Sequence, residues 1–175
     1  MIEKQLYKNF LIMIVCYLLD SIISFFLPYN LSKTGISFIP SIGLMMFTLL
    51  VMTLHDPSER FFFSALCGLY YCVVYSNSLL IYVLVYVAIA FVRSYIYRND
   101  HITLLEYLVL MFIILLLKEL VVYYLMVATD VTSLTFLSFV RLRLLPTTLI
   151  NTIIGAGVYG IYSLFDFKTD ESEFS

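Results

Sequence analysis

Three ionisable side chains interrupt the long apolar runs of this sequence, and they are the residues best placed to do chemistry. Asp20 lies within the run Phe10–Leu27, and Lys118 and Glu119 lie within Leu104–Val127. A charge in a bilayer interior costs about 2.5–3.5 kcal/mol on insertion scales, so each one needs a reason. Three reasons are open: a buried ion pair that fixes helix register, a contact with a partner protein, or a site for a transported substrate.

Helix geometry predicts that these groups share one depth. With a rise of about 1.5 Å per residue, Asp20 lies about 2 Å outward of the centre of its run, Lys118 about 4 Å and Glu119 about 5 Å. Asn151, in the last apolar run, lies about 7 Å outward. Asp20 and Lys118 can therefore pair across the bundle. Lys118 and Glu119 are about 100° apart on one helix and cannot both point at one partner, so we expect one of them to face a water-filled crevice or another protein.

Sequence motifs of the common enzyme classes are absent from the chain. It contains no G-x-S-x-G, no H-E-x-x-H and no glycine-rich phosphate loop. His55 and His101 have no nearby nucleophile or second ligand, and the three cysteines, Cys16, Cys67 and Cys72, have no metal-ligand spacing. We therefore predict a protein that is not an enzyme, with no catalytic, cofactor-binding or metal site.

The composition indicates what kind of fold must position the charges. Of the 175 residues, 62% are apolar and 13% charged, and the mean hydropathy is +1.00. Soluble domains have about 45–50% apolar and about 25% charged residues. The formal net charge of −2 also excludes the basic excess of a nucleic-acid binder. Because the chain lacks the polar residues to coat a water-facing surface, we predict an integral membrane protein.

Apolar runs of about 17–25 residues predict transmembrane helices, because unpaired backbone groups cannot face lipid. We predict an all-α integral membrane protein with one six-helix transmembrane domain over residues 1–165 and an acidic cytoplasmic tail over 166–175. In the second span, Pro40 is expected in the first turn, where its missing N–H costs little. The six predicted spans cover residues 10–27, 38–54, 61–75, 79–97, 104–127 and 147–165.

The distribution of lysine and arginine in the short loops predicts the orientation of the chain. With a cytoplasmic N-terminus, six basic residues lie on the cytoplasmic side and three on the outer side, which favours cytoplasmic N- and C-termini. Arg141 and Arg143 are among the three outer residues. They lie in the segment Leu134–Pro146, which is typical of a helix that lies on the membrane or dips into it. They would meet phosphate headgroups or acidic groups of a partner.

A group of glycines marks the last span. Gly155, Gly157 and Gly160 follow one another there, with Ala156 beside them. Small residues allow helix backbones to approach closely in lipid. The group, with Gly157 at its centre, therefore predicts close packing either within the bundle or against a second protein.

Three stretches of the chain carry a resemblance to a known family. Phe38–Ser41 marks the second helix with a proline, and Ser58–Cys72 places a short polar loop before an aromatic helix with a central glycine. The most specific stretch is Arg143–Tyr162, RLLPTTLINTIIGAGVYGIY. Together with the six spans, these features resemble the MreD family of bacterial rod-shape-determining proteins. The match implies three structural positions in the last helix: Pro146, Thr147 and Asn151.

The resemblance implies a non-enzymatic membrane subunit of the cell-elongation machinery, which organises the cell wall by peptidoglycan synthesis. Such a protein would lie in the bacterial cytoplasmic membrane and bind the bitopic protein MreC. It would also contact, directly or indirectly, the glycan polymerase RodA, its transpeptidase partner and the MreB cytoskeleton. The alternative is a substrate-binding subunit of an energy-coupling-factor vitamin transporter, a class with a similar helix layout. Those subunits couple through alanine-rich faces of the first helix, and Phe10–Leu27 contains no alanine.

Overall fold

The protein is all-helical over the residues that the structure describes. The computed structural model describes residues 2–32, 35–54, 56–75, 81–96, 102–130 and 132–164, and none of these forms a β-strand. Three helices are long and apolar enough to cross a membrane: Leu6–Phe26, Leu104–Ala128 and Phe136–Leu164. The all-α prediction is therefore confirmed, and these helices have the character of a membrane protein. The acidic tail predicted over 166–175 lies outside the described residues.

The described residues form seven α-helical segments and two π-helical turns. The turn Val92–Ile96 extends α4, and the turn Val140–Leu144 joins α6 to α7, so that Phe136–Leu164 is one continuous helix. The α-helices are α1 Ile2–Ser32, α2 Ile42–Thr53, α3 Pro57–Tyr75, α4 Ile81–Phe91, α5 Leu104–Ala128, α6 Phe136–Phe139 and α7 Leu145–Leu164.

Helix α2 lies at the centre of the fold, and it is shorter than predicted. Its 12 residues extend about 18 Å, which is less than the roughly 30 Å thickness of a bilayer core. Every residue in 43–51 is buried, as expected for a helix that is apolar on all sides. Pro40 does not lie in the first turn, because α2 begins only at Ile42. The six residues before the helix are not helical.

The last helix begins earlier than predicted. Instead of starting at Thr147, it is continuous from Phe136 through the π-helical turn. A proline inside an α-helix has no N–H to donate and clashes with the carbonyl four residues earlier. The wider π turn before Pro146 accommodates that proline, because it removes the ordinary hydrogen-bond pattern at this point.

The other helices pack around α2. Helices α1 and α7 form the largest contacts with it, and α5 packs against α7. Helices α3 and α4 pack extensively against each other, as the predicted hairpin of the third and fourth spans requires. Their backbones approach closely at Gly68, where an added Cβ would lie 2.7 Å from Cα of Val83.

Candidate functional site

Polar side chains from three helices meet at the non-helical segment that leads into α2. We call residues 37–43 the α2 junction. Asp20 reaches it from α1, Lys118 from α5 and Asn151 from α7. All three side chains are buried. The residues that were predicted to lie at one depth are therefore brought together, and each of them contacts the α2 junction.

Asp20 binds the first turn of α2. Its two carboxylate oxygens accept hydrogen bonds from the backbone N–H groups of Ile42, at 2.7 Å, and Gly43, at 2.8 Å. The first N–H groups of a helix have no partner within it, and a negative charge at this end is stabilised by the helix dipole. Ser41, the N-cap residue, makes no side-chain cap. Asp20 therefore caps α2 from a different helix.

Gly43 allows α1 to come this close. A Cβ added at Gly43 would lie 2.5 Å from Cδ1 of Tyr17 and 3.1 Å from an oxygen of Asp20. Tyr17 is held in place, because its hydroxyl lies 3.0 Å from the hydroxyl of Tyr86 and its ring stacks on that of Tyr70. A larger residue at position 43 would therefore displace the ring and the carboxylate. Sequence analysis did not identify Gly43 as a site residue.

Asn151 binds the α2 junction from the opposite side. Its Oδ1 accepts a hydrogen bond from the backbone N–H of Ser41 at 3.1 Å, and its Nδ2 donates to the carbonyl of Ile39 at 2.8 Å. The side chain is fully buried. Because the backbone of this segment is not helical, these bonds replace those that a helix would provide internally.

Pro146 and Thr147 act on the same segment. The carbonyl that Pro146 cannot bond is that of Leu142, four residues earlier. This carbonyl accepts a hydrogen bond from the backbone N–H of Ser37 at 2.8 Å. The hydroxyl of Thr147 donates to the carbonyl of Ser37 at 3.4 Å. The Pro-Thr-x-x-x-Asn pattern of the last helix therefore holds both ends of the non-helical part of the junction.

The charges near the junction are arranged differently from the predicted pairs. Among the described residues, Asp20 and Lys118 form no ion pair with each other. Instead, Nζ of Lys118 donates to the hydroxyl of Ser41 at 3.0 Å and lies 3.2 Å from Glu119. Nε of Arg143 lies 2.9 Å from the second oxygen of Glu119. The two acidic side chains, Asp20 and Glu119, and the two basic ones, Lys118 and Arg143, balance in formal charge at the junction.

Two expectations about these residues are corrected. Lys118 and Glu119 are only 3% and 1% exposed, so neither side chain faces a water-filled crevice. They contact each other because the flexible stem of the lysine overcomes the 100° separation. Arg143 contacts Glu119 rather than a headgroup, since the π-helical turn faces α5 there. Arg141 is exposed, and its contact with headgroups or a partner stays a prediction.

The C-terminal end of α2 has its own charged partner. Nε of Arg60 donates to the carbonyl of Leu54, the C-cap residue, at 2.6 Å. Positive charge is favourable at this end of a helix. Nearby, Nδ2 of Asn9 donates to the hydroxyl of Thr53 at 3.2 Å. The predicted third span begins only after Arg60, whereas α3 begins at Pro57, so the role of Arg60 at α2 was missed.

The space beside the junction is too small for a metabolite. A cavity of about 10 Å³ lies among Ser41, Leu44, Lys118 and the rings of Tyr71, Tyr82 and Tyr86. A volume of about 10–15 Å³ holds one water molecule, whereas small-molecule pockets measure about 300–1,000 Å³. The polar groups at the junction are therefore arranged to bind backbone and one another.

The glycines of the last helix have different surroundings. A Cβ added at Gly155 would meet Met45, Leu108 and Tyr107 at ordinary contact distances, so Gly155 packs within the bundle. Gly157 and Gly160 have open space around them. Internal packing therefore accounts for Gly155 alone, and a partner contact at Gly157 stays a prediction.

Comparisons with known proteins identify no relative of this chain, so its interpretation depends on the geometry described above. No protein-family model, curated protein or solved structure matches the chain. Among the residues that the structure describes, no group of three or more His, Cys, Asp or Glu side chains is placed to hold a metal ion. The arrangement that the described side chains do form is a set of long-range bonds that fix the start of a central helix.

Proposed function

We propose that the protein is a non-enzymatic scaffold of the bacterial cell-elongation machinery, related to the MreD family. It crosses the cytoplasmic membrane six times, with both termini in the cytoplasm. It binds MreC and brings the synthases RodA and its transpeptidase partner into one assembly with the MreB cytoskeleton. The chemistry of peptidoglycan synthesis takes place on those partners.

The α2 junction is the observation that carries this proposal. Pro146, Thr147 and Asn151 are the positions that the family resemblance singles out as structural, and all three act on residues 37–41. The ionisable residues near them contact backbone and one another. In this bundle the buried polar groups hold a central helix in place. Such a rigid bundle is suited to presenting fixed faces to other proteins.

The face of α7 that points away from the bundle is suited to a partner helix. Leu149 and Ile153 are 53% and 75% exposed, and Gly157 continues their spacing of four residues along one face. Small residues on such a face allow a second helix to approach closely in lipid. Arg141 lies about one turn before Leu145 on the same continuous helix and is also exposed.

The transporter alternative requires a binding pocket that the junction does not provide. Its cavity of about 10 Å³ is more than tenfold smaller than a typical small-molecule site. The scaffold is therefore the function that the polar residues favour.

Depletion of the protein from its rod-shaped or ovoid host separates the two functions. The scaffold predicts rounding of the cells with intact vitamin uptake, and loss of MreC from the complex recovered with its partners. Normal cell shape combined with a new vitamin requirement would contradict it. Complementation with wild-type protein is the control for the depletion.

Site-specific cross-linking tests the partner face. A photo-reactive residue at position 141 or 157 is expected to capture MreC or a synthase, because both positions are exposed. The matched control is Leu105, which is 73% exposed and lies on a different helix, α5. Equal capture from all three positions, or from Leu105 alone, would overturn the assignment of the face.

A further inference from the structure

The small cavity beside the α2 junction lies where four elements of the fold meet. Its volume of about 10 Å³ is close to that of one water molecule. Five of the six side chains that line it carry a hydroxyl or an ammonium group. They come from the junction, α2, α3, α4 and α5, and they are Ser41, Leu44, Tyr71, Tyr82, Tyr86 and Lys118.

Lys118 has one unused hydrogen-bond donor at this place. An ammonium group has three N–H donors and no acceptor. Two of them are accounted for by the hydroxyl of Ser41, at 3.0 Å, and by a carboxylate oxygen of Glu119, at 3.2 Å. The third has no partner among the described residues, although the side chain is only 3% exposed. Because a buried donor without an acceptor is costly, we expect an acceptor beside it.

Hydroxyl groups that line the cavity are also incompletely bonded. The hydroxyl of Ser41 accepts from Lys118, and its own proton has no acceptor within the described part of the chain. Tyr82 makes no hydrogen bond through its hydroxyl to any residue that the structure describes. The hydroxyl of Tyr86 bonds that of Tyr17 at 3.0 Å and can accept a further bond. A buried water needs two to four polar partners, and these groups supply that number.

The charges around the cavity select a neutral ligand. A cation would be repelled by the ammonium group of Lys118. An anion would face the buried carboxylate of Glu119, which already balances that ammonium and also binds Arg143. The volume excludes neutral molecules much larger than water. Water can both accept from the lysine and donate to a hydroxyl oxygen, so it is the ligand that fits both the size and the charges.

We propose that this cavity binds one ordered water molecule, which accepts a hydrogen bond from Lys118 and donates one to the hydroxyl of Tyr82. The water links α5 to α4, two helices that have few direct contacts with each other. It thereby connects the hairpin of α3 and α4 to the polar group that holds the start of α2. This water site goes beyond the scaffold function and does not depend on it.

A crystal structure of the full-length protein, at a resolution that shows ordered water, tests the proposal without any variant. We expect one water within about 3.2 Å of both Nζ of Lys118 and the hydroxyl oxygen of Tyr82. An empty cavity, or a water that reaches only one of these two groups, would overturn the proposal. Crystals grown in bromide should show no bromide in the cavity, and its presence there would identify an anion site instead.

A double-mutant cycle measures the same link in solution. Lys118→Met and Tyr82→Phe each remove one partner of the water and keep most of the side-chain volume. The equilibrium constant of unfolding in mixed micelles is compared for the two single variants and the double variant. Because either change alone breaks the bridge, we expect the combined effect to be about fivefold smaller than the product of the single effects. Single effects that simply multiply would contradict a shared water.

Tyr95→Phe is the matched control for Tyr82→Phe. Tyr95 lies in the π-helical turn that extends α4 and is 57% exposed, so the loss of its hydroxyl should not couple to Lys118→Met. Coupling of equal size at the two tyrosines would show a general effect of the lysine and overturn the link through water.

Discussion

The two ends of α2 are held in different ways. The N-terminal end receives Asp20, Lys118 and Asn151 from three separate helices. The C-terminal end is held by Arg60, six residues further along the chain than the carbonyl that it binds, and by Asn9. Both ends carry the charge that complements the helix dipole. The N-terminal end therefore depends on the assembled bundle, whereas Arg60 can form its bond locally.

Asp20→Ala is expected to have the largest effect on this comparison. It removes two hydrogen bonds between a carboxylate and buried N–H groups, each worth about 1.5–3 kcal/mol, so the expected total cost is about 3–5 kcal/mol. The free energy of unfolding in mixed micelles measures the loss. Ser24→Ala, an exposed change on the same helix, is the control and should be neutral. A loss below about 1 kcal/mol for Asp20→Ala would show that the carboxylate does not hold α2.

Asn151→Ala is expected to rank second, at about 2–3 kcal/mol. It leaves the N–H of Ser41 and the carbonyl of Ile39 without partners in a buried segment. Thr152→Ala, one residue further along α7, is the control, because its hydroxyl bonds only within its own helix. The same unfolding assay compares the two, and equal losses would contradict a special role for Asn151.

Gly43→Ala is expected to cost about 1–3 kcal/mol, because the added Cβ meets the ring of Tyr17. Gly157→Ala is the matched control. It adds the same methyl group where nothing lies within 4 Å, and it should be neutral or slightly stabilising, since alanine favours helices. If the free energy of unfolding falls equally in both variants, the contact between position 43 and the ring of Tyr17 does not explain the loss.

Arg60→Gln is expected to have the smallest effect, about 0.5–1 kcal/mol. Glutamine retains a donor for the carbonyl of Leu54 and loses the charge that favours the C-terminal end of α2. The unfolding assay therefore ranks the two ends of the helix directly. A loss for Arg60→Gln as large as that for Asp20→Ala would reverse the comparison.

The sequence predicted which residues matter better than it predicted what they bind. Charges within apolar runs are conspicuous, so Asp20, Lys118, Glu119 and Asn151 were identified from composition and depth alone. Their bonding partners are backbone groups near position 40, and the bond from Asn151 to Ile39 joins residues 112 positions apart. Sequence spacing holds no information about such contacts.

The fold shows the same division between what was predictable and what was not. Apolar runs identified α1 to α5 and α7 but not α6, because hydropathy reflects the solvent that a helix faces. The length of α2 was overestimated. The segment Phe38–Ser41 is apolar enough to be predicted as part of the helix, but its backbone is bound by Asn151 of α7 and is not helical. The continuity of α6 with α7 was missed because a π turn accommodates Pro146, and apolar patterning does not reveal such turns.

Hydrogen–deuterium exchange of the Ile42 and Gly43 amides, in protein reconstituted into a lipid bilayer, measures how firmly Asp20 holds the start of α2. We predict that these two amides are as protected as those in the middle of α2, and that Asp20→Ala increases their exchange at least tenfold. Exchange that is equally fast in wild-type and Asp20→Ala protein would contradict the claim that Asp20 holds the start of the central helix.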